Sequence, residues 1–233
     1  MSGSYIVPSF DAPPEAVGRR AAHAEEMAAE QLYGLRLGVL VSGSGSNLQS
    51  LIDAIDAGEL DANIAVVISD RADAYGLERA REAGIEAVHI DRKQFESPAE
   101  FNGAIRDRLL SRSVNLVVMA GYMRLLGTEV LDAFPSQVVN LHPALLPSFP
   151  GAHAIADAIE HGVKVTGVTV HFADEVFDRG PIIVQGAVPV REDDTVETLA
   201  ERIHAVEHEL LPAAIQLIAD GRVVVDGRRV HIS

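Results

Sequence analysis

The feature that most constrains this chain is an alternation, from residue 36 onward, of short apolar runs with helical segments. Runs of this length suit buried strands, and the longer segments between them suit crossover helices. The apolar-rich runs lie at residues 37–41, 64–68, 87–90, 116–120 and 138–141. Such alternation requires right-handed crossovers and gives a mostly parallel sheet covered by helices on both faces. We therefore predict an α/β chain with a doubly wound sheet.

The pattern changes after residue 163. Two strand-like runs, at residues 165–172 and 182–190, follow each other without a helix between them, which predicts antiparallel strands at one edge of the sheet. A helix over residues 195–219 and a hairpin turning on Asp226-Gly227 complete the expected order of elements.

The composition predicts one folded domain preceded by an extension. Residues 1–35 carry three prolines and an alanine- and glutamate-rich stretch that favours one amphipathic helix. Residues 36–233 show no second shift of composition, so we expect them to form a single domain. At 48% hydrophobic and 23% charged residues, the chain has the composition of a globular protein.

Charge and composition also exclude several functional classes. A net charge of −15, from 34 acidic and 19 basic residues, disfavours a nucleic-acid partner. There is no apolar run long enough to span a membrane, and the first residues lack the order of a secretory signal. Without cysteine, the chain has no disulfide, thiolate ligand or thiol nucleophile. These features predict a cytoplasmic protein that binds small molecules.

A glycine-rich segment, Gly43-Ser44-Gly45-Ser46-Asn47, joins the first predicted strand to the first helix. Glycines allow the backbone to approach an anion, and the start of a helix offers unpaired N–H groups, so a phosphate is the expected ligand. The segment lacks the third glycine of a dinucleotide-binding turn and the Gly-Lys-Ser of a nucleotide loop. An ordinary strand-to-helix turn explains it nearly as well.

Asn140 and His142 lie at the end of the fifth predicted strand, before two prolines that stiffen the next loop. Strand alternation places both side chains on one face of the sheet. An amide and an imidazolium together can stabilise an oxyanion, and an imidazole can transfer protons, which suits acyl transfer.

An acidic loop between the two edge strands supplies a third candidate. A carboxylate from this loop would hold His142 in its protonated form. Spacing alone does not choose among Asp174, Glu175 and Asp178. We interpret His153 and His171 as structural residues beside the pocket, and Tyr122 as equally suited to the pocket wall and to the core.

Four motifs in this order resemble the phosphoribosylglycinamide formyltransferases, the folate-dependent enzymes of purine synthesis. They are Ser-Gly-Ser-Gly-Ser-Asn-Leu-Gln (residues 42–49), Ala-Gly-Tyr-Met-Arg-Leu-Leu (120–126), Asn-Leu-His-Pro-Ala-Leu-Leu-Pro (140–147) and Asp-Arg-Gly-Pro (178–181). The resemblance extends from about residue 37 to 220 and implies a Rossmann-like formyltransferase fold. It also implies transfer of a formyl group from 10-formyltetrahydrofolate to the amine of 5-phosphoribosylglycinamide, without a metal.

The resemblance carries roles to matching positions. Asn140, His142 and Asp178 correspond to the catalytic residues, with Asp178 holding His142 as an imidazolium. The substrate site is expected to comprise Gly45, Ser46, Asn47, Leu48, His204 and Glu207. The folate site is expected to comprise Met123, Arg124, Leu125, Leu126, Asn140, Asp174, Glu175, Val176, Phe177 and Asp178. A homodimer is compatible with this resemblance.

Two positions depart from the family pattern. Pro98 stands where many members carry an arginine for the folate glutamate tail, so Arg92 or Lys93 is the substitute, or the contact is lost. His204 stands where glutamine is familiar in the substrate pocket.

Three alternatives stay open at this level. A formyltetrahydrofolate hydrolase shares the catalytic residues but carries an additional N-terminal regulatory domain. A formyltransferase acting on charged transfer RNA needs a basic RNA-binding domain, which conflicts with the net charge. A non-catalytic phosphate- or nucleotide-binding module would keep the glycine loop alone.

Overall fold

A computed structural model describes residues 34–233, and the predicted N-terminal extension lies almost wholly outside this range. The strands of this range are β1 Leu35–Val41, β2 Ala62–Ser69, β3 Ala87–His89, β4 Leu116–Met119, β5 Val138–His142, β6 Val165–Phe172, β7 Ile182–Pro189, β8 Val223–Asp226 and β9 Arg229–Ile232. Its α-helices are α1 Ser46–Asp56, α2 Tyr75–Glu82, α3 Pro98–Ser111, α4 Thr128–Leu131, α5 Ala154–Glu160 and α6 Val196–Ala219.

Seven strands form one twisted sheet in the order β3-β2-β1-β4-β5-β6-β7. The first five strands are parallel, whereas β6 pairs antiparallel with both β5 and β7. This arrangement confirms the predicted doubly wound sheet with antiparallel edge strands. The chain builds outward from β1 to β3 and then returns to place β4 on the other side of β1. Ligands of open parallel sheets bind beyond the carboxyl ends of the strands at such a reversal.

The core consists of two apolar layers, one on each face of the sheet. Alternation along β1 divides its side chains between them: Leu37 and Val39 pack in the layer with α1 and α6, and Leu40 packs in the layer with α3. All four residues of β4 are buried, as expected of a central parallel strand.

Local sequence signals fix the start of α6 and the turn of the β8–β9 hairpin. Thr195 caps α6 by accepting the N–H of Thr198, and Thr198 reciprocates, so the helix begins where predicted. The hairpin β8–β9 turns at Gly227, which has a φ of +58°. Helix α5 was not predicted. It is only seven residues long, and its fully buried side chains are the small ones of Ala154 and Ala158. Within residues 34–233, no helix is long and apolar enough to cross a membrane.

Leu109 and Leu110 provide a test of the core. Leu109 is fully buried against Gly38, whereas Leu110, its neighbour in α3, is 51% exposed. We expect Leu109→Ala to lower the free energy of unfolding by about 2 to 5 kcal/mol, because it leaves a cavity. Leu110→Ala should cost less than about 1 kcal/mol. Urea denaturation of both variants makes the comparison, and equal losses would contradict the described packing.

Candidate active site

Polar side chains gather at the carboxyl end of β5, next to the reversal of the sheet. Asn140 and His142 lie two residues apart on β5, and their side chains reach the same polar cluster, as alternation predicted. His142 is buried, with 3% of its surface exposed. A buried histidine surrounded by apolar residues requires partners for both ring nitrogens.

His142 has an acceptor at each ring nitrogen. Its Nε2 lies 2.8 Å from the carbonyl oxygen of Phe149, and its Nδ1 lies 3.4 Å from Oδ2 of Asp178. A carbonyl and a carboxylate can only accept, so both contacts are satisfied when the ring carries two protons. The imidazolium form that the family resemblance implies stays a prediction.

Asp178 is the carboxylate that reaches the cluster. Its side chain is 1% exposed and accepts the backbone N–H of Gly151 at 2.8 Å. Among the three acidic candidates of the loop, Asp174 instead accepts the N–H of Val176 at an exposed turn, and Glu175 is exposed. Asp178 also adopts a φ of +55°, which is uncommon for a residue other than glycine.

His171 joins the cluster, although sequence analysis interpreted it as structural. Antiparallel pairing places it directly opposite Asn140, and its Nε2 lies 3.1 Å from Asn140 Nδ2. Its Nδ1 faces the Phe172 carbonyl at 2.9 Å, and its Nε2 also lies 3.8 Å from Oδ1 of Asp178. The signal that identifies it is the register of β5 with β6, which sequence alone did not give.

The surroundings of Asp178 keep it ionised. Burial alone would raise the pKa of its carboxyl group, but hydrogen bonding with His171, the Gly151 N–H and the charge of His142 outweigh burial and lower it. The second N–H of Asn140 makes only a long contact, 3.4 Å, with Asp178 Oδ1. That donor is therefore weakly engaged and faces the pocket's polar end.

The glycine loop leaves backbone amides without helical acceptors at the start of α1. The first helical bond runs from the Gln49 N–H to the Gly45 carbonyl, so the three amides before it, those of Ser46, Asn47 and Leu48, have no helical acceptor. Gly45 has a φ of +69°, and a Cβ there would lie 2.5 Å from the Cα of Gly76. Only glycine fits this conformation and this close approach. The Leu48 side chain is buried in the core, which leaves its amide for a ligand.

Asn47 and Glu207 are brought together from opposite ends of the domain. The Asn47 Nδ2 donates to Glu207 Oε2 at 2.9 Å, and both residues are buried. The Asn47 Oδ1 is also buried, and no group in the described part of the chain bonds to it. His204 is exposed one turn earlier on α6, and its ring stacks on that of His208 at 6.4 Å.

A narrow pocket opens beside the polar cluster. It is lined by Met119, Leu125, Leu126, Leu131, Asn140, His171, Ala173, Asp174, Val176, Phe177 and Asp178. Seven of the ten residues predicted for the folate site therefore line it. Met123, Arg124 and Glu175 do not line it: Met123 is 73% exposed, and the Arg124 guanidinium donates to Asp70. Leu131, Met119 and Ala173 were not predicted.

The segment at the predicted folate tail is organised locally. Pro98 occupies the first turn of α3, after Ser97, which caps the helix by accepting the Glu100 N–H. Arg92, the proposed substitute, donates to the Phe95 carbonyl at 2.8 Å. Its role toward a glutamate tail stays a prediction.

Comparison with known proteins decides the family. The sequence profile described as formyl transferase matches residues 35–215. This chain belongs to the formyl transferase family. The resemblance inferred from the four motifs is thereby confirmed, and so is the expectation of an enzyme.

Individual relatives of this formyl transferase carry more specific names. It is 40% identical over 181 residues to phosphoribosylglycinamide formyltransferase of Bacillus subtilis, covering 78% of this chain and 93% of that protein. It is 46% identical over 188 residues to the human trifunctional purine biosynthetic protein adenosine-3. The matched part covers 81% of this chain but only 19% of the human protein.

A solved structure shows the same fold. Glycinamide ribonucleotide transformylase 1 from Symbiobacterium toebii superposes with a TM-score of 0.85 at 55% identity, covering 85% of this formyl transferase and 94% of that chain. The predicted Rossmann-like formyltransferase fold is confirmed.

Asp178→Asn tests the buried carboxylate through the pH dependence of stability. A carboxyl group whose pKa is lower in the folded state than its unfolded value of about 3.9 stabilises the fold above that value. The contribution is lost as the pH falls through the lower folded pKa. Wild type should therefore lose more free energy of unfolding between about pH 5 and pH 3 than the variant does. Denaturation at each pH measures the free energy of unfolding. Asp193→Asn, at an exposed site, should show the same pH dependence of stability as wild type.

Proposed function

We propose that this enzyme transfers a formyl group from 10-formyltetrahydrofolate to the amine of 5-phosphoribosylglycinamide, a step of purine biosynthesis. The observation that carries the proposal is an imidazole and an amide at the end of β5 that meet a carboxylate from the β6–β7 loop, in a sheet that also presents a glycine loop at the end of β1. The names of the relatives support the same reaction.

The spacing of the two sites fits a phosphorylated amine. Only β4 lies between β1 and β5, so the strand ends are two interstrand spacings apart, roughly 10 Å. This distance is comparable to the length of a sugar phosphate that carries a glycyl amide. The free amides at the start of α1 would hold the phosphate, and the buried Glu207 carboxylate would accept from a substrate donor.

The pocket fits the pterin part of a folate. Its walls are apolar, with Leu125, Val176 and Phe177 each 42–53% exposed at the rim, and Asn140 and Asp178 supply polar groups at one end. A flat ring with polar edges matches a site of this kind. When bound, the folate supplies the formyl group that the substrate amine receives.

The chain's own groups would act on the formyl oxygen and on one proton. Negative charge develops on that oxygen as the amine bonds to the formyl carbon. Asn140, through its weakly engaged N–H, would donate to it, and protonated His142 would donate through Nε2 once that N–H leaves the Phe149 carbonyl. Each such donor contributes roughly 10² to 10³ in rate. Asp178 would hold His142 protonated and oriented. Asp178 and His142 are also the groups available to move the proton from the attacking amine toward the departing nitrogen.

A hydrolase that transfers the formyl group to water is the main competitor, because it would use the same cluster. The glycine loop favours the transferase, since water needs no phosphate site. A non-catalytic binding module is disfavoured by the presence of the complete cluster. The cytoplasmic location, the homodimer and the boundary of the extension stay predictions.

A spectrophotometric assay with 10-formyltetrahydrofolate, with and without 5-phosphoribosylglycinamide, tests the proposal. Release of tetrahydrofolate only in the presence of the ribonucleotide is the expected result. Release at the same rate without it would identify a hydrolase, and no release in either case would reject formyl transfer.

His142→Ala should lower kcat by roughly 10² to 10³-fold, because it removes a donor that acts on the transition state. Affinity for 5-phosphoribosylglycinamide, measured by calorimetry, should change little. His231→Ala is the matched control, since His231 is exposed on β9. Unchanged turnover in His142→Ala would reject the assigned role.

Asn47→Asp should weaken binding of 5-phosphoribosylglycinamide. The new carboxylate would face the substrate phosphate and would also replace the donor that Glu207 accepts. A roughly tenfold rise in Kd, about 1.4 kcal/mol, is expected in calorimetry. Asn63→Asp adds the same charge at an exposed position of β2 and should leave the Kd unchanged. Equal Kd values for Asn47→Asp and wild type would argue against the phosphate assignment.

A further inference from the structure

A second buried carboxylate, Asp70, lies at the carboxyl end of β2, outside the catalytic cluster. Its side chain is 5% exposed. Its Oδ1 accepts the hydroxyl of Ser42 at 2.7 Å, and its Oδ2 accepts Nε of Arg124 at 2.5 Å. A buried carboxylate is retained at low cost only when such partners compensate its charge. Nothing in the proposed chemistry uses this carboxylate.

The contacts of Asp70 join the ends of three neighbouring strands. Ser42 follows β1, Asp70 follows β2, and Arg124 lies in the loop after β4. Ser42 bonds this loop directly: its N–H donates to the Gly121 carbonyl at 3.1 Å, and its hydroxyl accepts the Met123 N–H at 3.0 Å. Asp70 therefore fixes the loop through Ser42 and through Arg124.

The fixed loop is also the wall of the pocket. Leu125 and Leu126, immediately after Arg124, line the pocket that Asn140 and Asp178 close. The Arg124 guanidinium points away from it, toward Asp70 and over the ring of Phe101, 5.9 Å from the ring centroid. Arg124 thus anchors the wall instead of lining it.

Tyr122 lies in the same loop and is closely packed. It is 5% exposed, and its hydroxyl is buried without a partner among residues 34–233. Burial, and next the negative charge of Asp70, raise the pKa of Tyr122, whereas the charge of Arg124 opposes them. The hydroxyl therefore lies within the field of the Asp70–Arg124 pair.

We infer that Asp70 is a positioning residue for the folate site: by holding Ser42 and Arg124, it keeps residues 121–126 in the conformation that places Leu125 and Leu126 against the ligand. This inference rests on the proposed function, since it takes the pocket to be the folate site. Asp70 does not touch the ligand and acts through the loop.

Asp70→Asn separates this role from a general loss of structure. The amide still accepts from Ser42 but loses the charge that holds Arg124. We expect the Kd for 10-formyltetrahydrofolate, measured by calorimetry without the second substrate, to rise roughly tenfold. The Kd for 5-phosphoribosylglycinamide should change by less than about twofold, because its loop follows β1 and does not contact Arg124. A merely destabilised fold would weaken both.

A double-mutant cycle tests whether Asp70 and Arg124 act as a pair. Arg124→Gln should weaken folate binding as Asp70→Asn does, and the double variant should be no weaker than the worse single variant. Arg124→Lys keeps the charge and should restore part of the affinity. Asp73→Asn is the matched control. Asp73 lies three residues after Asp70 and forms an exposed ion pair with Arg71.

Three outcomes overturn the inference. Unchanged folate affinity in Asp70→Asn, or additive losses in the double variant, would reject the positioning role while leaving the proposed function intact. Absence of folate binding by wild type would reject the proposed function, and the inference with it.

Discussion

The buried carboxylate of Asp178 meets two imidazoles, an amide and a backbone N–H, and the polar cluster at the end of β5 depends on this negative charge. Removing it would leave Nδ1 of the buried His142 and one N–H of Asn140 without this contact, and an unpaired buried polar group is costly. The backbone accepts an unfavourable positive φ at this residue to deliver the carboxylate, and the Gly151 N–H helps to hold it there. The strained backbone therefore lies at the centre of the site, where it positions the carboxylate.

Much of the fold followed from sequence because strand–helix alternation, handed crossovers and buried runs all favour one topology. Asn140 and His142 were placed correctly for a similar reason, since period-two alternation is a local rule. Asp178 was chosen by family resemblance, because spacing within an acidic loop does not reveal which carboxylate turns inward. His171 was missed as a site residue because its role arises from the register between β5 and β6, a non-local property.

The same distinction applies to the pocket. The motif containing Met123 to Leu126 marked the correct loop, but the motif gives no direction for each side chain. In the structure, Leu125 and Leu126 face the pocket, whereas Met123 is exposed and Arg124 turns toward Asp70. The Asp70 contact joins loops that follow different strands, and its existence depends on their order in the sheet. Motif resemblance therefore located the site, and the topology determined the contacts.

The hydrogen bond between Asn47 and Glu207 spans 160 residues of chain. During synthesis, the glycine loop emerges early, but its buried partner belongs to the last long helix, so the loop cannot acquire its final environment until nearly the whole domain has left the ribosome. Closing so long a loop is entropically costly and is expected to occur late in folding. A ligand that binds this junction would thus stabilise the completed domain in preference to truncated or partly assembled forms.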